Sequence, residues 1–171
     1  MPEEFKLFCE WVNNNGYPIS GYFELEPDDG KYITHWFGFD DVNDRFGVFG
    51  ADGSGALYAF WIDDEGKQKI VHLGSEGDNL YIIADDFIKF LQLLAIGYNE
   101  LAYAELSLTI AEWNKAIDAK VGEGVNPKFQ EWVESTFSVK ESNRGSEIAD
   151  FSDSSFEEWV EQQLENNREN N

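Results

Sequence analysis

The residues best suited to nucleophilic or metal chemistry are two histidines, His35 and His72, and a single cysteine, Cys9. A thiol–imidazole pair needs nucleophile and base within hydrogen-bond reach, and nothing in the spacing of these three supports one. Zinc sites rely on short local spacings of His, Cys or carboxylate ligands, and no such run is present. On strand periodicity His35 shares a face with Ile33 and Phe37, and His72 with Ile70. Each histidine therefore reads as a sheet residue hydrogen-bonded among apolar neighbours. Cys9 reads as a small buried hydrophobe, and being alone it makes no intrachain disulfide. Gly53-Ser54-Gly55 is not a nucleophile elbow, which needs its glycines two positions either side of the serine. No Gly-Lys-Ser/Thr follows a glycine-rich run to cradle phosphate. Asp40, Asp41, Asn43 and Asp44 are the best cluster for calcium but lack the alternation of a calcium loop. No pair of carboxylates stands out for glycoside hydrolysis. The expectation is a protein that binds without catalysis, metal or cofactor.

Charge narrows what it would bind. Against 34 acidic residues stand 12 basic ones, a formal net charge of -22 over 171 residues. Nucleic-acid binding needs a basic footprint to displace counterions, and an anionic membrane surface would repel this chain. Two readings are left: a soluble protein with an acidic surface, or one whose protein partner is basic. The opening MPEEFKLFCEW shows no basic segment followed by an apolar run, and no stretch approaches the length of a membrane span. The expected location is the reducing cytoplasm.

The elements that position these groups are organised around residues 70–101. Ile70–Leu73 is apolar and β-branched, Gly74, Gly77, Asp78 and Asn79 supply a turn, and Leu80–Ala84 is strand-like again. Asp85 is placed to cap a helix, with Asp86 near the positive end of its dipole. Phe87, Phe90, Leu91 and Leu94 then fall on one helical face, and Gly97 ends the helix. Upstream, Phe5, Phe8, Trp11 and Val12 mark an amphipathic helix. Alternation from Ile19 to Leu25 marks a half-buried strand, with Tyr22 and Glu24 on its polar row. Tyr32–Phe37 reads as a second strand, Phe46–Phe49 as a third, and Ala56–Ile62, apolar on both faces, as a central one. With hydrophobic content of 42% the chain can fill a core. The fold class expected is α+β: a mainly antiparallel, curved sheet of about six strands in a meander, with helices packed on it.

Downstream, Ile110, Trp113 and Ile117 share a helical face, and Asn126-Pro127 opens a further helix. Three segments, Phe8–Val12, Phe129–Val133 and Phe156–Val160, share the pattern F-x-E-W-V. Phe, Trp and Val at i, i+3 and i+4 make a docking face, so all three read as helices that pack by it. Residues 139–153 are polar and read as a linker. Residues 154–171 read as a last amphipathic helix with a frayed end, docking on its own domain or on a neighbouring chain.

In a simple six-strand meander, loops Gly38–Asp44 and Asp63–Gly66 share one end of the sheet, and Pro27–Gly30, Ala51–Ser54 and Gly74–Asp78 the other. The first end gathers Asp40, Asp41, Asp44, Asp63, Asp64 and Glu65 beside Trp36, Phe39 and Trp61. Aromatic side chains anchor an interface while charge steers and discriminates, so these residues are the candidate partner-binding site. Solvated turns over core aromatics would give the same pattern.

The order of FGVFGADGSGALYAFW, VHLGSEGD and ADDFIKFLQLLAIGYNEL, followed by NPKFQEWVESTF and GSEI, resembles the SUKH superfamily. That group contains bacterial toxin-immunity proteins and the fungal regulators of cell-wall assembly. The resemblance covers residues 16–149 and implies a SUKH-like domain over 1–138. It also implies a non-catalytic immunity protein, and the charge adds that the cognate toxin would be basic, of nuclease type. The alternative it implies is a regulatory adaptor like the fungal proteins. The oligomeric state is left open.

Overall fold

Leu57–Ile62 is apolar on both sides because the sheet it crosses is covered on both faces. The computed structural model describes all 171 residues. Its sheet is antiparallel and five-stranded, in the order β1 (Glu24–Leu25), β2 (Phe46–Ala51), β3 (Leu57–Ile62), β4 (Gln68–Leu73) and β5 (Tyr81–Ala84). Side chains alternate in direction along a strand, so Tyr58 and Phe60 enter one core while Leu57, Ala59 and Trp61 enter the other. The molecule is therefore α+β, with helices on both sides of an open meander.

Helices α1 (Glu3–Asn15), α3 (Phe87–Ile96) and α5 (Pro127–Phe137) contribute to the first core, where Phe8, Phe90, Leu91 and Phe129 are fully enclosed. The short α4 (Ile110–Ala116) packs Ile110 and Trp113 at its edge. Helices α2 (Tyr32–Phe37) and α6 (Ser155–Glu169) cover the second face. The F-x-E-W-V segments act as expected of docking helices, but on opposite faces. Phe8 and Phe129 enter the first core and Phe156 the second, each with 0% exposure.

The sheet has one strand fewer than expected because Tyr32–Phe37 is helical. Ile33 and Phe37 are four residues apart and occupy one helical face as readily as they alternate along a strand. Only Glu24 and Leu25 of the expected first strand pair, against Ala51 and Gly50. Gly21, at φ +52°, turns the chain just before them. With α2 no longer a strand, Pro27–Gly30 leaves the end where it was expected. Asn43 Nδ2 lies 3.5 Å from the Gly30 carbonyl, joining that loop to Gly38–Asp44.

The cap of α3 is Asp86, not Asp85. Its Oδ1 accepts from the Lys89 amide at 2.8 Å, and Phe87 is the first helical residue. Asp86→Ala should cost about 1 kcal/mol in a urea melt while Asp85→Ala, exposed and uninvolved in the cap, changes little. Equal midpoints for the two variants would refute this assignment.

Residues 139–153 form a strap rather than a free linker. Thr109 and Arg144 make a β-bridge, the Gly145 amide donates to Tyr98 Oη at 2.9 Å, and Phe151 stacks on Tyr81 at 5.0 Å.

Candidate functional site

Two ends of the sheet carry the polar groups, and the expected acidic residues lie mainly at one of them. Pairing of Phe46 with Trp61 and of Ile62 with Gln68 sets the start of β2 beside the β3–β4 turn. Arg45 spans the two: its Nε donates to the Ile62 carbonyl at 2.7 Å and its Nη2 meets Asp64 at 2.8 Å. Glu65 pairs with Lys67 at 2.7 Å, and Asp63 with Lys69 at 3.5 Å. The Lys67 amide, aided by the Glu65 amide and the Lys69 ammonium, holds the Asp63 carboxyl below the ordinary carboxylate range. Three of the expected carboxylates are thus already engaged within the chain.

Asp40, Asp41 and Asp44 are exposed, and Phe39 is half-buried against Phe37 at 5.5 Å. The other two aromatics are elsewhere. Trp36 donates its indole N–H to the Gly74 carbonyl, beyond the far end of β4. Trp61 is 2% exposed beneath Phe156 and Trp159 of α6, at 4.9 and 5.3 Å. It has no face for a partner while α6 is docked. His35 is exposed on α2 rather than in the sheet.

The opposite end holds a second set of groups. His72 is fully enclosed, edge-on to Tyr58 at 5.0 Å, with Nδ1 donating to the Asn79 carbonyl at 2.7 Å. Its Nε2 is 3.7 Å from Asp52 Oδ2, beyond hydrogen-bond range, and both atoms are buried without a partner. Asp52 Oδ1 accepts from the Ser54 amide and hydroxyl, which makes the Gly53–Ser54 segment a side-chain-closed turn. Burial raises the Asp52 carboxyl, but the nearby His72 ring and the Ser54 bonds outweigh it and leave it below its ordinary range. Burial first, then the charge of Asp52, pushes Glu100 up. No cluster of three or more His, Cys, Asp or Glu has metal-binding geometry.

Beside this polar group the surface opens into two adjoining cavities. One, of about 490 Å³, is lined by Tyr17, Pro18, Gly21, Tyr22, Glu24 and Asp52 among others. The other, of about 240 Å³, shares Pro18, Gly21 and Tyr22 and is closed by Asn99, Asn114 and Glu123–Asn126. Its wall is fixed by Trp113 Nε1 donating to Asn99 Oδ1 at 2.9 Å and Asn114 Nδ2 to the Glu123 carbonyl at 3.0 Å. Two exposed aromatic side chains stand at these cavities: Tyr17, 53% exposed, lines the larger, and Tyr22, 55% exposed, lines both. Sequence reasoning missed these tyrosines, although an aromatic on the polar row of a strand was the available signal for Tyr22.

A scan against protein-family models found no match, and comparisons with curated proteins and with solved structures found none either. No helix is long and apolar enough to cross a membrane.

Proposed function

We propose that this chain is a non-catalytic immunity protein that binds and neutralises a basic, nuclease-type toxin. Its resemblance to the SUKH superfamily suggests the class. The observation that carries the reading is the pair of exposed tyrosines, Tyr17 and Tyr22, lining one cavity with Glu24 and Asp52 on a chain of net charge -22. Exposed aromatics supply anchors, and the surrounding charge raises encounter with a basic surface while repelling nucleic acid. The tyrosine end is favoured over the Asp63–Glu65 turn because the carboxylates of that turn are neutralised by Arg45, Lys67 and Lys69.

The test is recovery of a basic binding partner from cells of the native source, followed by co-expression of the two. Restored growth supports immunity; binding without restored growth overturns it and leaves the adaptor reading. In stopped-flow experiments, Tyr17→Ala with Tyr22→Ala should shorten the lifetime of the complex about tenfold, since buried interfacial tyrosines act mainly on dissociation. Changing Asp40, Asp41 and Asp44 together to Asn, at the other end of β2 from Tyr22, should slow association no more than the same loss of charge elsewhere on the surface and leave the lifetime unchanged. An unchanged lifetime in the tyrosine variant would remove the tyrosine end from the interface.

A further inference from the structure

We propose that the larger cavity, between Tyr17 and Tyr22, is a receptor for an arginine side chain of the basic partner; the inference rests on the immunity reading above. Two tyrosine rings, each more than half exposed, line a concavity whose remaining walls carry Glu24 and Asp52. A ring face attracts a cation through its quadrupole, and a carboxylate beside it adds a charge-assisted bond. No Lys or Arg lines either cavity. This contrasts with the Asp63–Glu65 turn, where internal cations already occupy the carboxylates.

The two carboxylates have different parts. Glu24 is exposed and free to bond an incoming donor directly. Asp52 has a side chain only 2% exposed, held by Ser54 through Oδ1, with Oδ2 buried 3.7 Å from His72 Nε2. It supplies a fixed negative charge in the wall, where reduced contact with water leaves its field less screened. Glu100 adds to that charge, since its Oε1 would stand 3.4 Å from a Cβ at Gly53. That same Cβ would meet Tyr22 Cδ2 at 3.4 Å, so glycine at 53 leaves the aromatic wall its room. Arginine fits this surface better than lysine because a planar guanidinium stacks on a ring while its edge bonds a carboxylate, whereas an ammonium is a compact, strongly hydrated point charge.

The experiment needs no toxin. The full chain, labelled with ¹⁵N, is titrated with acetyl-arginine amide, acetyl-lysine amide and the neutral isostere acetyl-citrulline amide. Saturable shifts at the Tyr17, Tyr22 and Gly53 amides are expected with arginine, weaker ones with lysine and none with citrulline. Tyr22→Ala should weaken arginine binding about two- to fivefold. Glu24→Gln should weaken it as well, and both positions are exposed, so neither variant endangers the fold. Equal response to citrulline, equal affinity for lysine, or shifts centred on Asp40–Asp44 would overturn the assignment. Saturable arginine binding in a chain that fails to restore growth would overturn the immunity reading and leave the receptor standing.

Discussion

Phe156→Ala is expected to lower the unfolding free energy by about 3–5 kcal/mol, the range for removing a fully buried ring and leaving a cavity. Phe156 has 0% exposure and meets Trp61 at 4.9 Å and Phe46 at 6.1 Å. Its helix supplies Phe156, Trp159 and Val160 to a second core of only 14 buried residues, so a large share of that core depends on it. Arg45 lies over the Trp159 ring at 5.1 Å and so ties the helix to the start of β2. If α6 is part of one cooperative unit, the urea transition of the variant shifts as a whole, with its slope unchanged. Glu157→Ala, on the exposed side of the same helix, is the control and should stay within about 0.5 kcal/mol of wild type. A main transition left in place, with a separate early one, would mean that α6 is an appendage.

That dependence explains why the candidate interface was only partly legible in the sequence. Trp61 alternates correctly on β3 and pairs with Phe46 as a meander requires. Whether its outward ring meets solvent or another helix is set by where the last helix docks. Sequence spacing leaves both docking modes open; here α6 returns to its own sheet and buries the ring. Trp36 failed for a different reason. The segment Tyr-Ile-Thr-His-Trp-Phe is rich in β-branched and aromatic residues, and its apolar positions satisfy periods of both two and four. Tertiary packing chose the helix, and Gly38, at φ +83°, ends it.

Where period and length agreed, the sequence was sufficient. Leu57–Ile62, Gln68–Leu73 and Tyr81–Ala84 pair in consecutive antiparallel order, as short connections require. The four apolar positions Phe87, Phe90, Leu91 and Leu94 of α3 are all buried. The one-residue error in its cap arose because two adjacent aspartates offer the same chemistry. Only backbone geometry, φ -140° and ψ 161° at Asp86, separates them. The tyrosine end was the least legible, because it is assembled from loops distant in sequence. Tyr22 bonds through its amide to the Asn99 carbonyl at 2.9 Å, and Asn126 Nδ2 donates to the Pro18 and Ile19 carbonyls at 3.2 and 3.1 Å.

The meeting point of those loops should be among the most substitution-sensitive backbone in the chain, with Gly124→Ala costing more than about 4 kcal/mol, the range reserved for exceptional disruptions. A Cβ at Gly124 would fall 2.2 Å from the Gly97 carbonyl oxygen, and backbone on both sides prevents an easy retreat. The Gly124 carbonyl also accepts from the Gly21 amide at 2.9 Å, so displacing it pulls on the turn that presents Tyr22. Its φ of +86° adds the ordinary penalty of a left-handed residue. Gly122 separates the two causes: it has φ +77° but nothing within 4 Å of its Cβ position. Gly122→Ala should therefore cost only about 1–2 kcal/mol, the conformational term alone. Urea melts of both variants measure the difference. A gap under about 1 kcal/mol between them would show that the Gly97–Gly124 contact relaxes freely. In that case the loops would hold the two cavities less rigidly than a preformed receptor for a partner side chain requires.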